Sequence, residues 1–300
     1  SMKWPGLAAV EVALVNIFKG KWTGQCILDN KVVKQITSFL DDADTVGSPY
    51  PLLQNVDKSF QGSIILGKGF VLETKEAAKL IEENPKNKNV LFPYLNGEDL
   101  NTNPDQSPSR WVINFFDWPE EKCCDEYPDC FGIIERLVKP ERQRKDENGR
   151  YVLRKPLPER WWIYADKRPK LYRTINKLKR LLTVAQTTKE MSFCFQPNGY
   201  VYSMMTIVIA LDNFSAFIIL QSYIHESWAR KYASTLETRL RYTPSDIFET
   251  FPFPQNVLPE TESSLENIGE KYYTHRQQLM LKMQLGLTKT YNQFHNKELS

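Results

Sequence analysis

Residues Glu237 to Pro254 read Glu-Thr-Arg-Leu-Arg-Tyr-Thr-Pro-Ser-Asp-Ile-Phe-Glu-Thr-Phe-Pro-Phe-Pro. The first six alternate in character. In an extended chain Glu237, Arg239 and Arg241 share one face, and Thr238, Leu240 and Tyr242 share the other. The segment runs into a rigid Phe-Pro-Phe-Pro stop. Two readings of the charged face are open. It is a solvated strand face with cross-strand ion pairs, or it is a row of groups able to lie in a nucleic-acid groove. Arginine donates two hydrogen bonds to guanine O6 and N7, and glutamate accepts from cytosine N4.

Length and charge bound the choice only loosely. Three hundred residues suffice for one large domain or two small ones. A net charge of +3 is too small to establish a polyanionic partner, so the distribution of charge matters more. Lys167, Arg168, Lys170, Arg173, Lys177, Lys179 and Arg180 lie close together in sequence, with only Asp166 beside them. Such a face can bind phosphates or can simply be solvated. The cysteine count of 5 is odd and shows no regular framework, which argues for a reducing compartment. Cys123, Cys124 and Cys130 lack a second ligand pair at zinc spacing. No run approaches a membrane span and no signal peptide is evident, so a cytoplasmic chain is expected. Ser1-Met2 looks like a cloning scar, and the chain is expected to be a piece of a longer protein.

The pattern along the chain predicts mixed elements. Ala8 to Phe18 suits a buried strand, and Asp29-Asn30 is a turn signal. Phe60 to Leu72 reads as a hairpin turning at Gly67-Lys68-Gly69. Thr74 to Asn84 is a short helix, Val90 to Leu95 and Trp111 to Phe116 are strands, and Pro169 to Leu182 is a helix with a basic outer face. Short strands follow at Thr183 to Gln186, Phe193 to Gln196, Tyr200 to Ser203 and Thr206 to Leu211. Ser215 to about Tyr232 reads as one helix, with Phe217, Ile218, Leu220, Ile224 and Trp228 inward. Leu265 to Leu287 reads as a last helix with Ile268, Tyr272, Leu279 and Met283 on its apolar stripe.

Catalytic signatures are missing. The sequence contains no GxGxxG or GxxxxGK[ST] loop and no GxSxG elbow. His225-Glu226 has no second histidine four residues on, and His225 is read as a core or boundary residue. Trp161-Trp162 is read as core packing. The chain is expected to recognise a partner and not to catalyse.

Several longer stretches are distinctive. They are Phe92-Pro93-Tyr94-Leu95-Asn96-Gly97-Glu98-Asp99-Leu100, Pro104 to Ile113, Pro140-Glu141-Arg142, Tyr164-Ala165-Asp166-Lys167-Arg168-Pro169, Phe195-Gln196-Pro197-Asn198-Gly199 and Gly286 to His295. Together they resemble the C-terminal target recognition domain, of TaqI-like specificity type, in type IIG/IIL MmeI-like restriction–modification and adenine-specific DNA methyltransferase proteins. The resemblance covers nearly the whole chain. It implies an α+β fold: a mixed β-sheet target recognition domain with packed helices and a closing C-terminal helix.

The same resemblance implies a division of the chain. Residues 1–45 would end a methyltransferase domain, 46–90 would be a connector with a hairpin and short helix, 91–260 would read DNA, and 261–300 would form a helical segment. The family's catalytic tetrapeptide, Asn/Asp-Pro-Pro-Tyr/Phe, does not occur here, nor does its glycine-rich loop for S-adenosylmethionine. The chain alone is therefore expected to bind no cofactor and to transfer no methyl group. S-adenosylmethionine, adenine methylation and any nuclease would belong to a longer parent active in phage defence. The implied partners are double-stranded DNA and an upstream methyltransferase domain.

By position, Glu237, Arg239 and Arg241 match the family's base-reading strip. Glu237 and Arg239 would choose a base pair together, and Arg241 would contribute at another position. Lys167, Arg168, Arg173 and Lys177 are candidates for phosphate contacts, and Lys189 for a phosphate or base edge. The alternative is a protein-interaction or scaffold module of a defence methyltransferase system, with the last helix as its surface.

Overall fold

The structure is a computed structural model that describes residues 2–3, 11–12, 14–37, 40–42, 49–236, 239–254 and 263–295. Its contacts divide the chain into a unit of residues 1–50 and a unit of residues 51–300. In the first, β1 (Met2–Lys3) pairs antiparallel with β2 (Glu11–Val12), and β3 (Cys26–Leu28) with β4 (Lys31–Val33). Asp29 and Asn30 both take positive φ, at 47° and 65°, as a tight hairpin turn requires. The expected buried strand from Ala8 to Phe18 is not what forms over its described part. Leu14 is 80% exposed and Ile17 91%.

The second unit begins with β5 (Ser59–Gln61), β6 (Val71–Glu73), α1 (Thr74–Glu83), β7 (Leu91–Leu95), α2 (Gly97–Thr102) and β8 (Arg110–Ile113). Helices α3 (Glu120–Glu126), α4 (Pro128–Leu137), α5 (Lys139–Arg142) and α6 (Pro169–Ile175) follow. Then come β9 (Arg180–Ala185), β10 (Thr187–Thr188), β11 (Cys194–Pro197), β12 (Val201–Tyr202) and β13 (Thr206–Ile209). Helices α7 (Phe214–Leu220) and α8 (Tyr223–Tyr232) lead to β14 (Ser234–Leu236) and β15 (Arg239–Arg241). The last elements are α9 (Ser263–Met283) and α10 (Leu287–Phe294).

Three sheets organise this unit, in the orders β11-β9-β13-β5, β12-β7-β8-β6 and β10-β15-β14. Pairing is antiparallel except between β7 and β12. Strand β9 lies inside the first sheet, and Leu181 through Ala185 are buried on both faces. A near-continuous apolar run is what a doubly covered strand needs. Each four-stranded sheet has its own hydrophobic core. One gathers Leu182, Val184, Phe193, Phe217 and Phe248; the other gathers Phe70, Val112, Phe131, Ile134 and Trp161.

Within this second unit the structure departs from the sequence expectations at four places. The hairpin expected over Phe60 to Leu72 does not close on itself: β5 pairs with β13, and β6 with β8. Helix α6 stops at Ile175 instead of running to Leu182. Asn198 Nδ2 donates to the carbonyls of Ile175 at 2.8 Å and Leu178 at 3.0 Å, satisfying the chain end that a longer helix would have used. The single helix expected from Ser215 to Tyr232 is two, because Ser222 caps α8 by accepting from the His225 N–H. Ile224 is consequently 74% exposed.

The fourth departure concerns α9. Its buried stripe is Gly269, Tyr273, Arg276 and Met280, one helical step away from the expected one. A Cβ at Gly269 would run into the Phe214 carbonyl oxygen, so the close approach to α7 requires glycine there. Ile268, Leu279 and Met283 lie exposed on the outside.

Candidate nucleic-acid interface

Strand β15 sits between β10 and β14. Arg241 pairs with Thr187 on one side and Ser234 on the other, and Leu240 with Thr188 and Thr235. Arg239 and Arg241 are exposed, whereas Leu240 is 1% exposed and Tyr242 is fully buried. The alternation expected from sequence is therefore present from Arg239 onward. Glu237 and Thr238 lie outside the described residues.

The sheet is anchored to the core. Strand β9 continues through Gln186 into β10, so the centre of one sheet becomes the edge of the other. Gln186 N–H donates to the Met205 carbonyl at 2.8 Å, and Tyr242 N–H donates to the Gln186 carbonyl at 2.7 Å. Beneath β15, the Tyr242 ring meets Phe193 edge to face at 5.8 Å. Its hydroxyl lies 3.2 Å from His225 Nε2. The Leu220 carbonyl, 2.8 Å from His225 Nδ1, can only accept, which puts the proton on Nδ1 and leaves Nε2 to accept from Tyr242. Burial holds the imidazole neutral, with its pKa lowered to about 4, and pushes the Tyr242 phenol well up. His225 is thus a core residue, as expected.

The segment after β15 is locked in turn. Phe251 and Phe253 are buried, and Pro252 and Pro254 are exposed. Asn55 Nδ2 donates to three carbonyls, those of Phe248 at 3.0 Å, Glu249 at 3.2 Å and Phe251 at 2.8 Å. Sites carried on a rigid element hold their geometry better than sites on loops. Here two arginines stand on such an element.

The other sequence candidates divide. Lys189 follows β10 and is exposed; its Nζ donates to Asn292 Oδ1 at 2.9 Å and lies 3.5 Å from Glu190. Lys167 is ion-paired with Asp117. Arg168 is tied into the fold. It pairs with Asp166 at 3.0 Å, and its guanidinium donates to the Gly62 carbonyl and to Gln61 Oε1. Arg173 and Lys177 are exposed on α6 and just after it. Lys177 lies in the turn three residues before β9, at the end away from Thr187, so the length of that strand, about 20 Å, intervenes. Trp161 and Trp162 are buried, and Trp162 Nε1 donates to the Trp118 carbonyl at 2.9 Å. Cys123 and Cys130 are also buried, their thiols pushed up to about 12 chiefly by desolvation.

Two neighbours of the strip escaped the sequence reading. Arg230 on α8 pairs with Glu226 and donates to the Lys189 carbonyl at 3.3 Å. Asn292 reaches the same loop from α10. The Glu226–Arg230 spacing is visible in sequence as an i,i+4 pair, but nothing local links either residue to Lys189.

The family described as MmeI, target recognition domain, matches residues 51–255, which include β5 through β15. Among solved structures the chain is similar to the type IIL restriction-modification enzyme MmeI in complex with DNA. The TM-score is 0.58 at 18% identity, over 80% of this chain and 30% of that one. The type IIG restriction endonuclease BpuSI gives a TM-score of 0.36 at 9% identity, over 75% of this chain and 26% of its own, a likeness too weak to bear on fold. No curated protein matches. The chain spans less than a third of the MmeI chain it resembles. The α+β fold, with mixed and antiparallel sheets and a helical C-terminus, is that of the MmeI domain. By its match over most of its length, this chain belongs to the MmeI target recognition domain family.

Proposed function

We propose that this chain reads double-stranded DNA in the major groove as the specificity module of an adenine-N6 restriction–modification methyltransferase. One observation carries the reading: Arg239 and Arg241 stand exposed, two residues apart, on a strand whose opposite face is buried. That geometry offers two planar donor forks at a fixed spacing, suited to guanine O6 and N7. Glu237, two residues before Arg239 in sequence, supplies the acceptor for the paired cytosine N4. Arg173 and Lys177 contact phosphates and set position without reading sequence. Lys167 and Arg168 do so only by exchanging their carboxylate partners for phosphate.

The parent supplies the rest of the activity. In this reading residues 1–45 close its methyltransferase domain, 46–90 connect, 91–260 read, and 261–300 form the helical end, in a cytoplasmic enzyme of phage defence. The exposed apolar residues Leu14, Ile17 and Phe18 favour a covering partner for that first segment. In this reading S-adenosylmethionine belongs to the parent's catalytic part. The helix N-terminus after β7 is closed by its own Asn96–Asp99 capping box, with Gly97 against the Met205 carbonyl.

The test is selection from a randomised duplex library by the purified chain, followed by sequencing. One short enriched motif is expected. Exchange of the pair as Glu237→Arg with Arg239→Glu should turn one preferred base pair around, and retention of the original preference would sink the pairing. A second reading, as a protein-interaction module, is favoured by one feature. A groove of about 350 Å³ between α9 and α10 is lined by Leu279, Met283, Leu285 and Phe294. Salt-insensitive behaviour with no duplex binding would favour it.

A further inference from the structure

The loop Lys189–Glu190 is held from three directions. Arg230 on α8 donates to the Lys189 carbonyl at 3.3 Å. Thr188 Oγ1 donates to the Glu190 carbonyl at 2.8 Å. From α10, Asn292 Oδ1 accepts from Lys189 Nζ at 2.9 Å, and His295 Nε2 lies 3.7 Å from the Glu190 carboxylate. Both backbone carbonyls and both side chains of a two-residue surface loop are thus engaged.

The loop's location gives this meaning. In β10 and β15, Thr187 pairs with Arg241 and Thr188 with Leu240. The ladder ends there, and Lys189 is the next residue along the chain. Lys189 is exposed and sits immediately beside the residue that pairs with Leu240 of the reading strand. A free lysine side chain samples many rotamers, and ordering it on binding lowers affinity. An amide oxygen on a separate helix that already accepts the ammonium removes part of that cost in advance.

We propose that Asn292 is a positioning residue for DNA recognition, with α10 holding the Lys189 ammonium at the end of the β10–β15 ladder and ready for an acceptor on the duplex. The inference rests on the DNA-reading function proposed above. The acceptor is a phosphate oxygen or a base-edge atom. Asn292 itself need not touch DNA. It acts through Lys189, so its effect must vanish when Lys189 is absent.

A double-mutant cycle tests this on the enriched duplex and a shuffled control, across a salt series. The chains are the unsubstituted protein, Lys189→Ala, Asn292→Ala and the double variant. Both sites are exposed, and unchanged circular dichroism and melting are expected. Asn292→Ala should weaken binding to the enriched duplex about three- to tenfold, and should add nothing in the Lys189→Ala background. It should leave the slope of affinity against salt unchanged. If the acceptor is a phosphate, Lys189→Ala lowers that slope by about one; if it is a base edge, selectivity relaxes at one position. An equal effect of Asn292→Ala in both backgrounds, or an unchanged or tighter affinity, overturns the positioning role while leaving the DNA-reading function intact. Absence of any selective duplex binding by the unsubstituted chain overturns that function, and the positioning role with it.

Discussion

The Tyr242 hydroxyl donates to His225 Nε2 across 3.2 Å on the buried side of the segment that presents Arg239 and Arg241. The imidazole spends its one N–H on the Leu220 carbonyl. Tyr242→Phe would leave Nε2 buried without a donor, at a cost of about 1–2 kcal/mol. Urea unfolding at pH 7 should show that loss.

Stability should also depend on pH through His225. Its folded pKa is lowered to about 4 from an ordinary 6.5, chiefly by burial. Between those values the unfolded chain binds a proton that the folded chain refuses. The contribution is therefore fully present above about pH 6.5 and is lost as pH falls toward 4, to a limit of roughly 3 kcal/mol. His225→Gln should be less stable at pH 7 and should show a flatter profile over that window. An equally steep profile in the variant would assign the titration to other groups.

Asn55 predicts a different kind of loss. Its amide nitrogen serves the carbonyls of Phe248, Glu249 and Phe251, 193 to 196 residues away in sequence. Asn55→Ala should destabilise the domain by about 2–3 kcal/mol, because buried acceptors lose their donor. Asn55→Asp should cost more at pH 7, since an ionised carboxylate can only accept and would face three acceptors. Thermal melts of both variants check the order; an aspartate variant as stable as the parent would contradict it.

Some of this was legible in the sequence and some was not. The alternation at Arg239-Leu240-Arg241-Tyr242 could be read because strand side chains repeat every two residues. The burial of His225 and Trp161 followed from their apolar surroundings. The inner stripe of α9 could not be found by hydrophobicity, because it contains Gly269 and Arg276. The glycine is there for close approach to Phe214. The arginine is there because its guanidinium donates to the Phe193 carbonyl, Gln221 Oε1 and the Tyr291 hydroxyl. The hairpin expected at Phe60 to Leu72 failed for another reason. Gly67 does take a positive φ of 139°, but both flanking strands find partners far along the chain. Likewise, 103 residues separate Lys189 from Asn292, and no local pattern encodes such a contact.

Arg142 illustrates a buried charge held without a carboxylate. Its guanidinium donates to the carbonyls of Leu66, Ile65 and Ile163 at 2.5–2.9 Å, and its centre lies 5.2 Å from the Phe70 ring centroid. Burial lowers its pKa to about 10, so it stays charged at neutral pH. Arg142→Lys keeps the charge but not the planar fork, and Arg142→Met keeps neither. Both should cost about 3–5 kcal/mol, because lysine lacks the fork that spans the three carbonyls and methionine donates to none of them. A lysine variant close to the parent in urea midpoint would show that charge alone suffices.

The reading strand and the basic helix should fail in distinguishable ways. Arg239 and Arg241 project from a strand fixed by Leu240 and Tyr242 below, so truncating either leaves its backbone in place. A bidentate contact to a base edge is worth about 1–3 kcal/mol of discrimination. Arg241→Ala should therefore relax selection at one base-pair position and lower affinity for the enriched duplex far more than for a shuffled one. Lys177, beyond the far end of β9, is suited only to the backbone of the duplex. Lys177→Ala should weaken all duplexes nearly equally and reduce the salt slope by about one. Affinities for both duplexes at several salt concentrations separate the two cases. If Arg241→Ala behaves as Lys177→Ala should, the exposed arginines form an electrostatic platform, and sequence must be read elsewhere on the domain.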